Sequence, residues 1–213
     1  MSQIYVHEEL HRGQALMERL AATPITICGA GSLGANIAES LARTGCKHLT
    51  VIDRDRVEER NLSTQPYGRG DIGAKKATMT ANHLYRALGV RVAGVARELD
   101  ADNARKLLRD AALVIDAFDN SVARGVVTET CLNRKIPCLH AGMATDYAEV
   151  IWNPAYRVPS DAGDDLCDYP LARNLVTLTV ALACETAVRF VADGAQSSHT
   201  LTFSDFAIRP YEG

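Results

Sequence analysis

Residues 25–34 read ITICGAGSLG: three apolar residues and a threonine run straight into Gly29-x-Gly31-x-x-Gly34, and a helix-forming stretch follows. This junction narrows the choice of fold more than any other feature of the chain. A short buried strand that turns on glycines into a helix opens a βαβ unit. There the glycines let the chain turn tightly, let phosphate approach the backbone, and let helix and strand pack closely. The helix N-terminus brings the positive end of its dipole to the same place. A parallel partner strand needs a crossover, so strands and helices are expected to alternate along the rest of the chain.

They do. SLGANIAESLARTG reads as a helix closed by Gly45, HLTVID as a strand, AKKATMTANHLYRALG as a helix and RVAGVAREL as a strand. DADNARKLLRDA is predicted as a helix with an acidic cap, followed by the strand ALVIDAF, the helix SVARGVVTETCLNRK and the strand IPCLHAG. Apolar strand interiors predict an α/β class: a doubly wound, mainly parallel, Rossmann-like sheet with antiparallel C-terminal strands. The alternation stops near residue 143. YAEVIW then reads as an antiparallel addition, residues 153–171 as a mobile crossover loop rich in Pro, Asp and Gly, and LARNLVTLTVALACETAVRFVADG as a long helix. HTLTFSDFAIRP reads as a final strand. Leu10, Leu16, Met17 and Leu20 stand near helical spacing, so residues 1–22 should hold an N-terminal helix, and residues 1–213 should form a single domain.

The bulk properties set aside several classes. Net charge is −3, from 23 basic and 26 acidic residues, and no lysine/arginine run marks a nucleic-acid partner. No apolar run reaches membrane-spanning length and the N-terminus lacks a leader's apolar region, so a cytoplasmic protein without a membrane partner is expected. The six cysteines, at 28, 46, 131, 138, 167 and 184, include no C-x-x-C pair. Reduced thiols and no zinc are therefore expected.

The candidate site follows the glycine turn. Asp53 ends the second strand, where a carboxylate can accept both hydroxyls of a ribose. A loop of roughly twenty residues comes next, longer than an ordinary βα connection, and that length itself suggests function. It carries Asp55, Asn61 and Gln65, and DIGAKKA then brings Lys75 and Lys76 to a helix start. DAFDN places Asp116, Asp119 and Asn120 at the carboxyl end of the fourth strand, on the same edge as the turn, where open α/β sheets bind their ligands. An NAD-linked oxidoreductase explains the turn and Asp53 equally well, but leaves the remaining residues without a task. Charge developing on a triphosphate does need cations, neutral donors and a carboxylate placed to hold Mg²⁺.

The ordered set GAGSLG, DRDRVEERNLSTQ, DIGAKKA, DAFDN-x-x-x-R and PCLHAG resembles the ubiquitin-activating superfamily, the ThiF/MoeB/HesA adenylyltransferases, from about Ile25 to the C-terminus. The resemblance implies an enzyme that uses ATP and Mg²⁺ to convert the C-terminal glycine carboxylate of a small ubiquitin-like sulfur-carrier protein, ending in Gly-Gly, into an acyl-adenylate. On that basis Gly29, Gly31, Ser32 and Gly34 would lie against the nucleotide, with Asp53 on the ribose. Asp55 and Gln65 would join the nucleotide site, and Asn61 and Lys76 would contact phosphates. Asp119 would serve the metal and the reacting end, and Arg124 would brace the site. Cys167, in the crossover, stands where family thiols accept the acyl group or sulfur. A homodimer, a sulfurtransferase partner and a place in thiamine biosynthesis are further implications. Two other readings stay open: a relative that activates a carboxylate on a tRNA base, and a catalytically silent homologue.

The chain also departs from the family. Relatives carry arginine before the glutamine, as NLxRQ, where this chain has Thr64. Losing such a charge-assisted contact costs about 1.5–3 kcal/mol unless it is replaced, and Arg60 and Arg69 of the same loop are the candidates. The N-terminal arginine motif of family dimers, RYxRQ, is not recognisable, leaving Arg12 and Arg19 as candidates, and no C-x-x-C pair is present to hold a C-terminal tail by zinc. His140 reads as a strand-end residue with a satisfied hydrogen bond, and the cysteines other than Cys167 as packing residues.

Overall fold

The computed structural model of the chain describes residues 3–153, 155–159 and 170–211. Strands β1 (Ile25–Cys28), β2 (Leu49–Ile52), β3 (Ala93–Val95), β4 (Leu113–Asp116) and β5 (Cys138–Ala144) pair in parallel. Strands β6 (Tyr147–Trp152), β7 (His199–Thr202) and β8 (Ala207–Pro210) extend the sheet in antiparallel fashion. The order is β3-β2-β1-β4-β5-β6-β7-β8. Chain order reverses between β1 and β4, so their carboxyl ends flank the switch-point crevice of a doubly wound sheet.

The helices are α1 (Val6–Arg12), α2 (Gln14–Ala22), α3 (Gly34–Thr44), α4 (Lys76–Leu88), α5 (Ala104–Leu107), α6 (Ser121–Arg134) and α7 (Arg173–Asp193). Alternation along the strands divides the core in two. Ile25, Ile27, Val51, Leu113, Ile115 and Leu139 pack with Ile37 and Leu41 of α3, Leu84 of α4, and Val176 and Ala183 of α7. Cys28, Ile52, Val114 and Cys138 turn the other way, onto Leu108, Val127 and Cys131 beneath α5 and α6. A central strand buried on both faces has no solvent-facing side, which is why ITIC and LVID lack polar–apolar alternation and are apolar but for Thr26 and Asp116.

Several elements differ from expectation, each for a local reason. The N-terminal helix is two helices, broken at Gly13, whose φ of 80° and ψ of 153° interrupt the helical backbone. RVAGVAREL narrows to Ala93–Val95, an edge strand that pairs only with β2. DADNARKLLRDA is helical only over Ala104–Leu107, because the Asp100 carboxylate accepts from the Asp102 and Asn103 N–H groups, each at 3.0 Å, and holds a turn instead. The single final strand is a hairpin: Asp205 accepts from the Ala207 N–H at 3.1 Å and Phe206 adopts φ 52°, folding HTLT onto AIRP. The expectation that no apolar stretch reaches spanning length is corrected by α7, a 21-residue helix with a window of mean hydropathy 1.7, enough by length and composition alone to cross a bilayer. Half of that stretch is buried inside the protein, and Leu175, Val176, Thr179, Ala183 and Ala187 are all buried. Here α7 is a core helix.

Candidate active site

The site grows from the carboxyl edge of β2, β1 and β4. Backbone bonds continue one residue past the strands: Gly29 N–H donates to Ile52 O and Ala117 N–H to Cys28 O, both at 2.8 Å. Gly29, Asp53 and the Ala117–Asn120 segment therefore leave the sheet side by side. Gly29 has φ 98°, and a Cβ there would lie 2.8 Å from the Ala117 carbonyl oxygen. A Cβ on Gly34 would lie 2.0 Å from the Gly29 carbonyl oxygen, so α3 can start against the turn only without a side chain. Gly31 differs: a Cβ there meets nothing within 4 Å. Among the described residues no neighbour requires glycine at that position, which leaves room for a ligand atom.

Asp53 is buried and holds the turn. Its Oδ2 accepts from the Ala30 N–H at 2.7 Å and its Oδ1 from the Asp55 N–H at 2.6 Å. Burial pushes its carboxyl above the usual range, with the two N–H groups and Lys76 pulling only part of the way back. Each carboxylate oxygen retains a lone pair for a ribose hydroxyl. Tyr67, which the sequence reading overlooked, ties the turn to the lysine: its OH donates to Ala30 O at 2.9 Å and lies 3.0 Å from Thr80 Oγ1 and 3.4 Å from Lys76 O.

Lys76 begins α4 with its backbone N–H on Asp55 O at 3.0 Å and its side chain largely buried, Nζ 3.7 Å from Asp55 Oδ2. Asp55 is half exposed and orients the ammonium group. Lys75 bonds the Arg54 carbonyl and belongs to the loop framework. Asn61 lies in a 3-10 turn over Glu59–Ser63, where its Oδ1 accepts from the Glu58 N–H at 2.9 Å and its NH₂ remains as donor. Gln65 has its Oε1 buried with no hydrogen-bond partner. An acceptor withdrawn from water without a donor is costly, and a ligand hydroxyl would satisfy it.

Behind the rim lies a charged network. Asp116 is completely buried; its Oδ2 is 2.8 Å from His140 Nδ1 and 3.6 Å from Arg124 Nη1. Burial pushes this carboxyl up, but Arg124 and His140 overcome it and hold it below the usual range. Arg124 donates to Tyr156 OH at 2.9 Å and to Ala141 O at 2.8 Å, and His140 Nε2 lies 2.7 Å from Asn153 Oδ1. Tyr156 stacks on His140 with ring centroids 3.7 Å apart. Arg124 thus braces the site through protein acceptors, and both nitrogens of His140 are satisfied. Asn120 caps α6, accepting from the Ala123 N–H at 2.8 Å, while Asp119 stands exposed at the rim.

Cys167 lies outside the described residues. The other five cysteines are buried and free; burial holds the Cys28 and Cys138 thiols well above their ordinary range and pushes Cys46 and Cys184 up to about 12. Arg60 pairs with Glu58 at 2.7 Å and Arg69 is exposed. Arg12 pairs with Glu8 at 2.6 Å and with Glu185 at 2.9 Å, within its own chain. The guanidinium that reaches Thr64 is that of Arg173, 109 positions away, whose Nη1 donates to the Thr64 carbonyl at 2.8 Å. Sequence spacing offers no signal for such a distant partner.

A switch-point crevice with a glycine turn, a buried carboxylate after the second strand and a lysine at the next helix start defines a nucleotide-binding α/β protein. The chain belongs to the ThiF family, whose sequence model matches residues 5–162. It is similar to the sulfur carrier protein ThiS adenylyltransferase of Bacillus subtilis, 33% identical over 151 residues that make up 67% of this chain and 44% of that one. It is also similar to the SAMP-activating enzyme E1 of Haloferax volcanii, 33% identical over 128 residues, 59% of this chain and 47% of that one. The chain thus spans less than half the length of each of these relatives. Among solved structures, Escherichia coli MccB with ATP superposes with a TM-score of 0.83 at 17% identity, over 99% of this chain and 71% of that one. That likeness shows the fold.

Proposed function

We propose that this protein is an ATP-dependent adenylyltransferase that activates the C-terminal glycine carboxylate of a small ubiquitin-like sulfur-carrier protein ending in Gly-Gly. The names of its relatives point to carrier proteins as the substrate class. One observation carries the reading: the glycine turn, Asp53, Lys76 and Asp119 leave a single carboxyl edge, and nicotinamide chemistry has no use for the last two. A carboxylate oxygen of the carrier attacks the α-phosphorus of ATP, the bond to the bridging oxygen breaks, and pyrophosphate departs with the electron pair.

In this reading Asp53 accepts the ribose hydroxyls with lone pairs that Ala30 and Asp55 leave unused. Gly29, Gly31, Ser32 and Gly34 lie along the nucleotide, and Gln65 Oε1 gains the donor it lacks. The Asn61 NH₂ and the Lys76 ammonium meet the phosphates, fixed in advance so that little reorganisation is needed as charge moves. Asp119, exposed at the rim, would hold Mg²⁺ together with the phosphates of the nucleotide. When bound, the ion would supply positive charge to offset that gathering on the leaving pyrophosphate. The proposal extends to transfer of the acyl group to Cys167 or to sulfur delivered by a sulfurtransferase, to thiamine biosynthesis in the cytoplasm, and to a homodimer.

ATP–pyrophosphate exchange with purified carriers ending in Gly-Gly tests the core of it. Exchange is expected with one such carrier, reduced about a hundredfold or more by Lys76→Ala and by Asp119→Ala. Absence of both exchange and ATP binding, or exchange indifferent to these substitutions, rejects the assignment.

A further inference from the structure

Arg173 is the first residue of α7, and its side chain spans to the glycine-turn helix and the long loop at once. Nη1 donates to the Thr64 carbonyl at 2.8 Å and to Asn36 Oδ1 at 3.1 Å. Asn36, in the first turn of α3, donates through Nδ2 to the same Thr64 carbonyl at 3.0 Å and to Ser32 O at 2.7 Å. Ser32 Oγ closes the cluster by donating to Thr64 Oγ1 at 2.8 Å. Three separate segments, the glycine turn with its helix, the loop and the start of α7, meet in one polar knot beside the open space at Gly31.

The knot uses only one edge of the guanidinium. Both Nη1 hydrogens go to protein acceptors, while Nε and Nη2 meet no acceptor among the described residues. A planar fork anchored on one nitrogen presents its remaining donors in a fixed direction, which suits paired oxygens of a phosphate. Position 64, where the resemblance leads one to expect the triphosphate-binding guanidinium, holds a threonine whose hydroxyl is engaged by Ser32 and whose carbonyl is gripped by Arg173. The loop candidate Arg60 does not offer this arrangement, since its guanidinium is paired with Glu58.

Building on the adenylyltransferase reading, we propose that Arg173 supplies from α7 the guanidinium missing at position 64, and binds the β- and γ-phosphate oxygens of ATP with its Nη2 and Nε donors. Nη1 keeps it in place on Thr64 and Asn36. The cation then arrives from the end of the crossover instead of from the loop, on a long helix anchored in the core.

Calorimetric titration with Mg-ATP and, separately, with AMP tests this, because only ATP carries the phosphates that Arg173 is assigned to hold. Arg173→Ala is expected to weaken ATP binding about tenfold to a hundredfold and to leave AMP within about twofold. Arg173→Lys, which keeps the charge and loses the fork, should fall between. Adding Thr64→Arg to Arg173→Ala should bring ATP back to within about threefold of the parent. Equal losses for ATP and AMP would assign Arg173 a purely structural role, and unchanged ATP binding in Arg173→Ala would make it a surface residue; either overturns the proposal. Should the double variant misfold, the ratio of ATP loss to AMP loss in the single variant decides alone. A parent protein that binds neither nucleotide rejects the adenylyltransferase reading itself, and this inference with it.

Discussion

A methyl group built on Gly34 would lie 2.0 Å from the Gly29 carbonyl oxygen, whereas one built on Gly31 meets nothing within 4 Å. Among the described residues the two glycines of one turn therefore meet different surroundings, backbone packing at Gly34 and open space at Gly31, which the proposed function gives to the nucleotide. Gly34→Ala is expected to destabilise the fold by about 3 kcal/mol or more, since the clash is with backbone that cannot swing aside. Gly31→Ala should change stability by no more than about 0.5 kcal/mol and weaken ATP binding at least tenfold. Thermal unfolding paired with nucleotide titration separates them, and equal destabilisation by both would remove the distinction. Asp53 supports a second prediction. Burial raises its folded-state carboxyl above the ordinary value of 3.8, so protonation as pH falls begins earlier than for an exposed aspartate. A ribose needs the ionised acceptor, so ATP affinity should fall as pH drops through that raised value, and Asp53→Asn should abolish this limb while weakening binding throughout. The stability sign is opposite to that of a salt-bridged acid: a raised carboxyl removes stability as pH rises from 3.8 to the folded value.

Among the elements, β4, β5 and α6 are held together where Asp116, His140, Arg124 and Tyr156 meet. Asp116 has its carboxyl lowered, so the stability it contributes is complete above the ordinary value of 3.8 and is lost as pH falls through the lower folded value. Asp116→Asn should therefore flatten the acid limb of the unfolding curve. At neutral pH it should cost about 3–5 kcal/mol, because Arg124 would be left buried without its counter-charge. Equilibrium denaturation at stepped pH checks both. Little of this network was legible beforehand. Asp116 stood out at its strand end and Arg124 through the family resemblance, but His140 lies 24 positions from Asp116 and Tyr156 lies 32 from Arg124. Parallel pairing of β4 with β5 joins the first pair, and the antiparallel return of β6 along β5 brings Tyr156 to them. The fold itself was legible wherever burial on both faces enforced a largely apolar run, as in β1 and β4, where period 3.6 persisted for several turns, as in α3 and α4, or where a long apolar stretch marked a core helix, as in α7. It was less so where short polar side chains competed with the backbone. Asp100 shortened a helix and Asp205 split a strand, through bonds of 3.0–3.1 Å that propensity does not register. The residues of the proposed nucleotide edge stand out in the sequence because they follow strand ends in order; Arg173 was missed because its relation to Thr64 exists only in three dimensions.

At the scale of the whole molecule, α1 stands apart from the core. None of its residues is buried, and Val6 and Leu10, one turn apart, are 44% and 79% exposed. The helix is nonetheless held in place: Arg12 bonds Glu8 on its own helix and reaches Glu185 of α7 at 2.9 Å, so the apolar pair is presented outward on a fixed support. A surface helix that lacks a buried face gains little from folding alone, and its apolar side chains favour a partner that removes them from water. The homodimer within the proposed function provides one if a second copy packs on this face. A stable dimer buries at least about 1,200 Å² in total, so α2 and neighbouring parts of the surface must share the contact with α1. Leu10 would then be close to an anchor, and removing an anchor costs about 2 kcal/mol or more, with an inserted carboxylate adding its own desolvation. Leu10→Glu should raise the dimer dissociation constant at least thirtyfold, with the monomer still folded because Leu10 makes no part of either core. Sedimentation velocity over a concentration series measures this directly. A parent chain that is monomeric at every concentration rejects the dimer, and a dimer unmoved by Leu10→Glu places its interface elsewhere on the molecule.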